Sequence, residues 1–192
     1  MMNTLLKIAS ISSLILLSSC STKTPQTSVH ARYVPERMDD FAFENDKVAF
    51  RVYGPALTDS AENNGTDCWL KRVDYPIVDK WYKGHEQGIS YHEDHGEGYD
   101  PYHVGTSLGC GSIALWDTEA KTTDKLIQPN VYTDYAIIEK SADKVVFELT
   151  YHYNTKNIDE IKRITLEKGN QFYKAQSQFS QNGRTVNRNS TR

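Results

Sequence analysis

The chain has 192 residues, a formal net charge of −3 and no cluster of lysine and arginine, which excludes the basic footprint of a nucleic-acid-binding protein. Aromatic residues make up 11% of it, with twelve tyrosines, a composition suited to strands and to sugar recognition. Of the three cysteines, none stands in a CxxC or other zinc-like spacing, so no thiolate metal site is expected.

The chain opens with MMNTLLKIASISSLILLSSC. Lys7 precedes an apolar run from Ile8 to Leu17, too short to cross a membrane but suited to a signal-peptide core. Leu17-Ser18-Ser19-Cys20 resembles a bacterial lipobox. That resemblance makes 1–19 a lipoprotein signal peptide and Cys20 the lipidated first residue of an outer-membrane protein, on its periplasmic or cell-surface side. The polar segment 20–30 reads as a flexible tether. Roughly 170 residues remain, enough for one domain with a true core. An oxidising compartment would permit a disulfide between Cys68 and Cys110, and spacing alone does not decide it.

From residue 31 the pattern is β. Phe41-Ala42-Phe43, a turn at Glu44-Asn45-Asp46-Lys47, and Val48 to Tyr53 predict a hairpin. Val48, Phe50 and Val52 share one face, which leaves Arg51 on the other. Trp69 to Val73 predicts a short strand. Farther on, Val131–Glu139, Lys144–Tyr153, Ile158–Leu166 and Gln171–Ser180 predict a meander joined by turn chemistry. Asn182-Gly183 is a strong hairpin signal, yet the residues after it are nearly all polar. The expectation is an all-β antiparallel sandwich over 31–192, C-terminally truncated.

Between the two strand groups lies WYKGHEQGISYHEDHGEGYDPYHVGTSLGCG, Trp81 to Gly111, which holds four of the six histidines. It shows no apolar period of two or 3.6, and so predicts a shaped loop rather than a core face. Imidazoles beside carboxylates and phenols are the materials of a proton-transfer site. A solvated polar loop is the plain alternative.

FAFENDKVAFRVYGPAL (41–57), KRVDYPIVDKWYKG (71–84) and SYHEDHGEGYDPYHVGTSLGCG (90–111) together resemble a secreted bacterial family known as domain of unknown function 4861. The resemblance implies a large β-sandwich of the galactose-mutarotase type. It also implies a place beside enzymes that degrade uronate-rich polysaccharides such as ulvan and alginate, and β-elimination from uronate-containing oligosaccharides as the activity. Family members are about twice as long as this chain.

Elimination at a uronate requires that the carboxylate be neutralised, that a base remove the adjacent C–H proton, and that an acid protonate the departing oxygen. His92, His95 and His103 are the candidate bases and Tyr102 the candidate acid. Arg51, with Asn45 or Lys80, is expected to bind the carboxylate. Trp81 and Tyr91 are expected to stack on a sugar ring, and Glu97 or Asp100 to orient an imidazole within the binding set. No cofactor or metal is expected: His92 and His95 lack the HExxH spacing, and glycines interrupt any helix. A loop zinc site on His92, His95, His103 and a carboxylate, or calcium on Asp94, Glu97 and Asp100, is the competing reading. Two classes of function stand: a lyase or dehydratase, and a glycan-binding lipoprotein without catalysis.

Overall fold

In the computed structural model, residues 29–123 and 125–185 are described. The signal peptide, Cys20 and most of the tether lie outside them. Strand β1, His30–Val34, begins at the last residue assigned to the tether.

The fold is an all-β sandwich of antiparallel sheets with one short α-helix. After β1 come β2, Asp40–Glu44, β3, Val48–Val52, and β4, Thr66–Lys71. Helix α1, Val78–Glu86, and the two-residue strand β5, Gly98–Tyr99, follow. These strands form one sheet in the order β1-β2-β3-β4-β5. A small hairpin joins β6, Leu115–Trp116, to β7, Leu126–Ile127. The second large sheet holds β8, Asp134–Lys140, β9, Lys144–Tyr153, β10, Ile158–Glu167, β11, Lys174–Gln181, and β12, Arg184–Thr185. Asn182 and Gly183 both take positive φ (51° and 73°) between β11 and β12, as a primed hairpin turn requires.

Period-two burial aims one face of each large sheet at the other. Phe41, Phe43, Val48, Phe50 and Val52 meet Val145, Phe147, Leu149, Ile164 and Leu166 in the principal core. Ring pairs such as Phe41–Phe147, with centroids 4.5 Å apart, interlock across it. Asn45 ties the layers at one end. Its Oδ1 accepts the Lys47 and Val48 amides, and its Nδ2 donates to the Glu167 and Asn170 carbonyls at 2.6 and 2.7 Å.

The first sheet is buried on its other face too. Ala42, Ala49 and Trp69 pack there against Ile77, Val78, Trp81, Tyr82 and Tyr91. The stretch after Trp81 therefore supplies part of a core, contrary to the expectation that it could not. Val78, Trp81 and Tyr82 fall on one side of α1 at spacings of three and four. The helix is capped from a distance: the Glu44 carboxylate accepts the Ile77 and Val78 amides at 2.9–3.1 Å, satisfying donors that otherwise lack partners at a helix start. Lys71, itself buried, holds Glu44 at 3.0 Å. The helix ends in paired bonds, Gly88 N–H to His85 O and Ile89 N–H to Gly84 O. Gly88 sits at φ +84° there, the left-handed stop of a Schellman motif.

Candidate functional site

The segment after α1 runs over the far face of the first sheet and returns to it at β5. Gly98 makes that return possible. Its φ is +107°, and a Cβ there would lie 1.9 Å from the Leu70 carbonyl oxygen. The next residue but one, Asp100, is anchored by its amide to the Tyr91 carbonyl at 2.9 Å, so the 91–100 excursion closes on itself.

That closure brings His92 onto Asp100. His92 Nδ1 lies 3.3 Å from the Asp100 main-chain oxygen and 3.3 Å from its carboxylate Oδ2. The carboxylate is 1% exposed, whereas the imidazole is 56% exposed. Asp100 Oδ1 accepts the Tyr102 amide, while Oδ2 has no aligned hydrogen bond. Burial raises the Asp100 pKa, against the Tyr102 amide, His92, Arg51 and the neighbouring Trp69. With the proton on Nδ1, facing Asp100, the outer nitrogen Nε2 is left as a base open to solvent.

Beneath this pair lies a buried charge cluster. Arg51 Nε donates to Asp40 Oδ2 at 2.6 Å, and its Nη1 lies 3.4 Å from Asp67 Oδ2. Tyr53 donates to Asp67 Oδ1 at 3.1 Å, and its ring lies 4.6 Å below the Arg51 guanidinium carbon. Arg51 is on the face expected of it, but it is 4% exposed and its guanidinium serves the protein's own carboxylates. Tyr91 links the cluster to the surface. Its hydroxyl oxygen accepts from Arg37 at 3.1 Å and from Arg51 at 3.5 Å. The Tyr91 ring packs against Trp69, His85 and His92, with centroids 4.6–5.0 Å away. His85 is held below the ordinary histidine pKa by burial, then by Arg37 and Arg51.

Asp67 carries a pH signature. Burial lifts its pKa from 3.8 to about 6, opposed by Arg51 and reinforced by Asp100. The folded chain thus binds a proton that the unfolded chain has released, and the stability this contributes is lost as pH rises from about 4 through about 6. Asp67→Asn is expected to flatten that limb by roughly 3 kcal/mol, checked by denaturant unfolding at a pH on each side of the window. Identical slopes in the two proteins would contradict it.

Of the other predicted residues, Tyr102 stays beside the pair through its amide bond to Asp100, and the rest make other contacts. Lys80 and Trp81 both bond to Glu97, at 2.7 and 3.2 Å, and Tyr75 adds a third donor. Glu97 therefore collects donors from α1 and the segment before it and orients no imidazole. His95 Nε2 meets the Ser90 carbonyl at 2.9 Å. A cleft of about 390 Å³ collects Lys80, Trp81, Ile89, Tyr91, His95 and Glu97. Tyr102 and His103 line a separate hollow of about 350 Å³ with Cys68 and Cys110, and His103 Nδ1 lies 3.1 Å from Glu62. Asn45 is 1% exposed and its amide is fully committed to the two hairpin turns, so it presents nothing to a ligand. Among the described residues, no three histidine, cysteine, aspartate or glutamate side chains converge as a metal ion would need. Nor is any described helix long and apolar enough to cross a membrane. The residue that the sequence did not flag is Arg37. It comes from the β1–β2 connection, where Met38 and Asp39 take φ near +55°, and only the fold carries it to Tyr91.

A family model described as Domain of unknown function (DUF4861) matches residues 17–188. The chain belongs to this family. Among curated proteins it is similar to an uncharacterized protein of Formosa agariphila, 41% identical over 155 residues, which cover 74% of this chain and 38% of that relative. The DUF4861 chain thus spans well under half the length of the relative it matches.

Proposed function

We propose that this DUF4861 chain contributes the acid–base centre of a carbohydrate-active lyase or dehydratase that acts on uronate-containing oligosaccharides by β-elimination. The observation that carries the reading is an exposed His92 imidazole backed by the buried carboxylate of Asp100. His92 Nε2 removes the proton from the ring carbon bearing the carboxylate. The electron pair left behind forms the new C=C bond as the C–O bond at the neighbouring carbon breaks. Tyr102, 56% exposed and joined through its amide to Asp100, gives the departing oxygen its proton. Arg37 takes the place first assigned to Arg51 as the cation for the substrate carboxylate. Arg37 is half-buried: its Nη2 donates to Tyr91, and its Nε is buried without a protein partner. Stabilising the enolate-like intermediate is the largest energetic demand of such a reaction, and the positive charge of the guanidinium answers it.

A glycan-binding role without turnover is the second reading. The cleft beside α1, with Trp81 and Ile89 between Lys80 and His95, favours it independently of His92. Incubation with saturated uronate oligosaccharides separates the two. Elimination yields conjugated-enoate absorbance and, for a dehydratase, product lighter by one water. Heat of binding with neither change supports the second reading and overturns the first.

We further propose attachment to the outer membrane through Cys20. Metabolic labelling with a fatty-acid analogue is expected to be lost in Cys20→Ser, and labelling that survives this change removes the anchor.

A further inference from the structure

Cys68 stands on β4 and Cys110 in the loop after Tyr102 and His103, yet the fold sets them side by side. The Cys110 amide donates to the Thr66 carbonyl at 3.0 Å, and its Sγ lies 3.2 Å from the same oxygen. Residues 66 and 68 share one face of the strand, so seating Cys110 on Thr66 brings its thiol to Cys68, within hydrogen-bonding reach. The flanking glycines make the fit. A Cβ on Gly109, at φ +57°, would lie 2.4 Å from the Thr66 oxygen, and one on Gly111 would lie 1.7 Å from the Tyr173 hydroxyl. That hydroxyl donates to the Cys110 carbonyl at 2.7 Å. Backbone approach from two sides therefore holds Cys110 against β4. Both thiols are free and line the same hollow as Tyr102 and His103, which leaves them open to a small oxidant.

We propose that Cys68 and Cys110 form a redox-closable latch, a disulfide that clamps the segment carrying Tyr102 and His103 onto β4. The latch goes beyond the proposed catalytic role and does not depend on it. With glutathione disulfide as oxidant, one cysteine thiolate attacks the glutathione disulfide bond and releases one glutathione. The other cysteine, losing its proton, displaces the second glutathione from the mixed disulfide. Two cysteine thiols are oxidised to one disulfide, and glutathione disulfide is reduced to two thiols. Closing a loop of roughly forty residues restricts the unfolded chain, and reduction is expected to lower the melting temperature by roughly 5–15 °C.

The test uses the full chain with Cys20→Ser, which leaves Cys68 and Cys110 as its only thiols. After treatment with glutathione disulfide, the protein is unfolded and alkylated without reductant. The expected results are no alkylated cysteine, two after reduction, and one cross-linked peptide joining residues 68 and 110. Two alkylated thiols, a persistent glutathione adduct or disulfide-linked dimers would each overturn the latch. The double variant Cys68→Ala/Cys110→Ala is expected to show no change in melting temperature with reductant. An equal drop in that variant would assign the effect to something other than the latch.

Discussion

Replacing His92 by alanine is expected to lower turnover of a uronate oligosaccharide by roughly 10²–10⁴-fold, the share of a positioned general base. The melting temperature should move little, because the imidazole is mostly exposed and its core contact is with the Tyr91 ring. Asp100→Asn tests the arrangement behind the base. It retains the main-chain oxygen that meets His92 Nδ1 but removes the carboxylate charge, so turnover should fall less than in His92→Ala, with little change in KM. Arg37→Ala removes the guanidinium assigned to the substrate carboxylate and should lower both kcat and kcat/KM for substrates that bear a carboxylate. His95 and His103 are held by the Ser90 carbonyl and Glu62, away from this pair, and their alanine variants should keep near-normal turnover. Steady-state kinetics on the panel decides the matter. If His92→Ala keeps its rate while His95→Ala or His103→Ala loses it, the base is one of the other imidazoles and the dyad is incidental.

The strands were legible because their signal is local. In β9 every second residue from Val145 to Tyr153 is buried, which is what a period-two sequence dictates when one face of a sheet is covered. The β2–β3 hairpin was legible for the same reason, down to the face that carries Arg51. Helix α1 was not. It has nine residues, only three of them buried, and its cap is a carboxylate 34 residues earlier in the chain. No window along the sequence contains that cap. The glycines after α1 read along the sequence as loop signals, whereas Gly88 is the stop of the helix. The histidine-rich stretch held His92 and Asp100, but nothing in the sequence favours that pair over His95 with Glu97. What separates them is burial. Asp100 is drawn under the loop by the return at Gly98, while Glu97 stays at the rim with Lys80, Tyr75 and Trp81. Arg37 carried no signal, since its connection to Tyr91 spans 54 residues. The two rings expected to stack on sugar are also core residues, because a tryptophan or tyrosine in an irregular stretch reads alike whether it covers a sheet or a ligand.

Arg51→Met is expected to destabilise the chain by about 3–5 kcal/mol, the cost of leaving buried charge uncompensated. Asp40 and Asp67 are both nearly inaccessible to water, and Arg51 is the cation that bridges them. Methionine fills much of the same volume, so the loss reports the charge rather than a cavity. The sign of the pH dependence follows. Burial already pushes both carboxyl groups above their ordinary values despite the guanidinium, and without it both should rise further. The variant therefore regains stability as pH falls and the two groups take up protons, and the gap from the parent narrows in acid. Asp40→Asn combined with Arg51→Met should recover part of the loss even at neutral pH, because the deepest unpaired carboxylate is then gone. Arg51→Lys should lie between parent and Arg51→Met, since an ammonium keeps the charge but lacks the edge that reaches Asp40 through Nε and Asp67 through Nη1 together. Denaturant unfolding across pH measures all of these. Should Arg51→Met cost less than about 1 kcal/mol at neutral pH, on the scale of an exposed pair, the cluster is not the sealed charge network on which Tyr91 rests, and the support assigned to the His92 site fails with it.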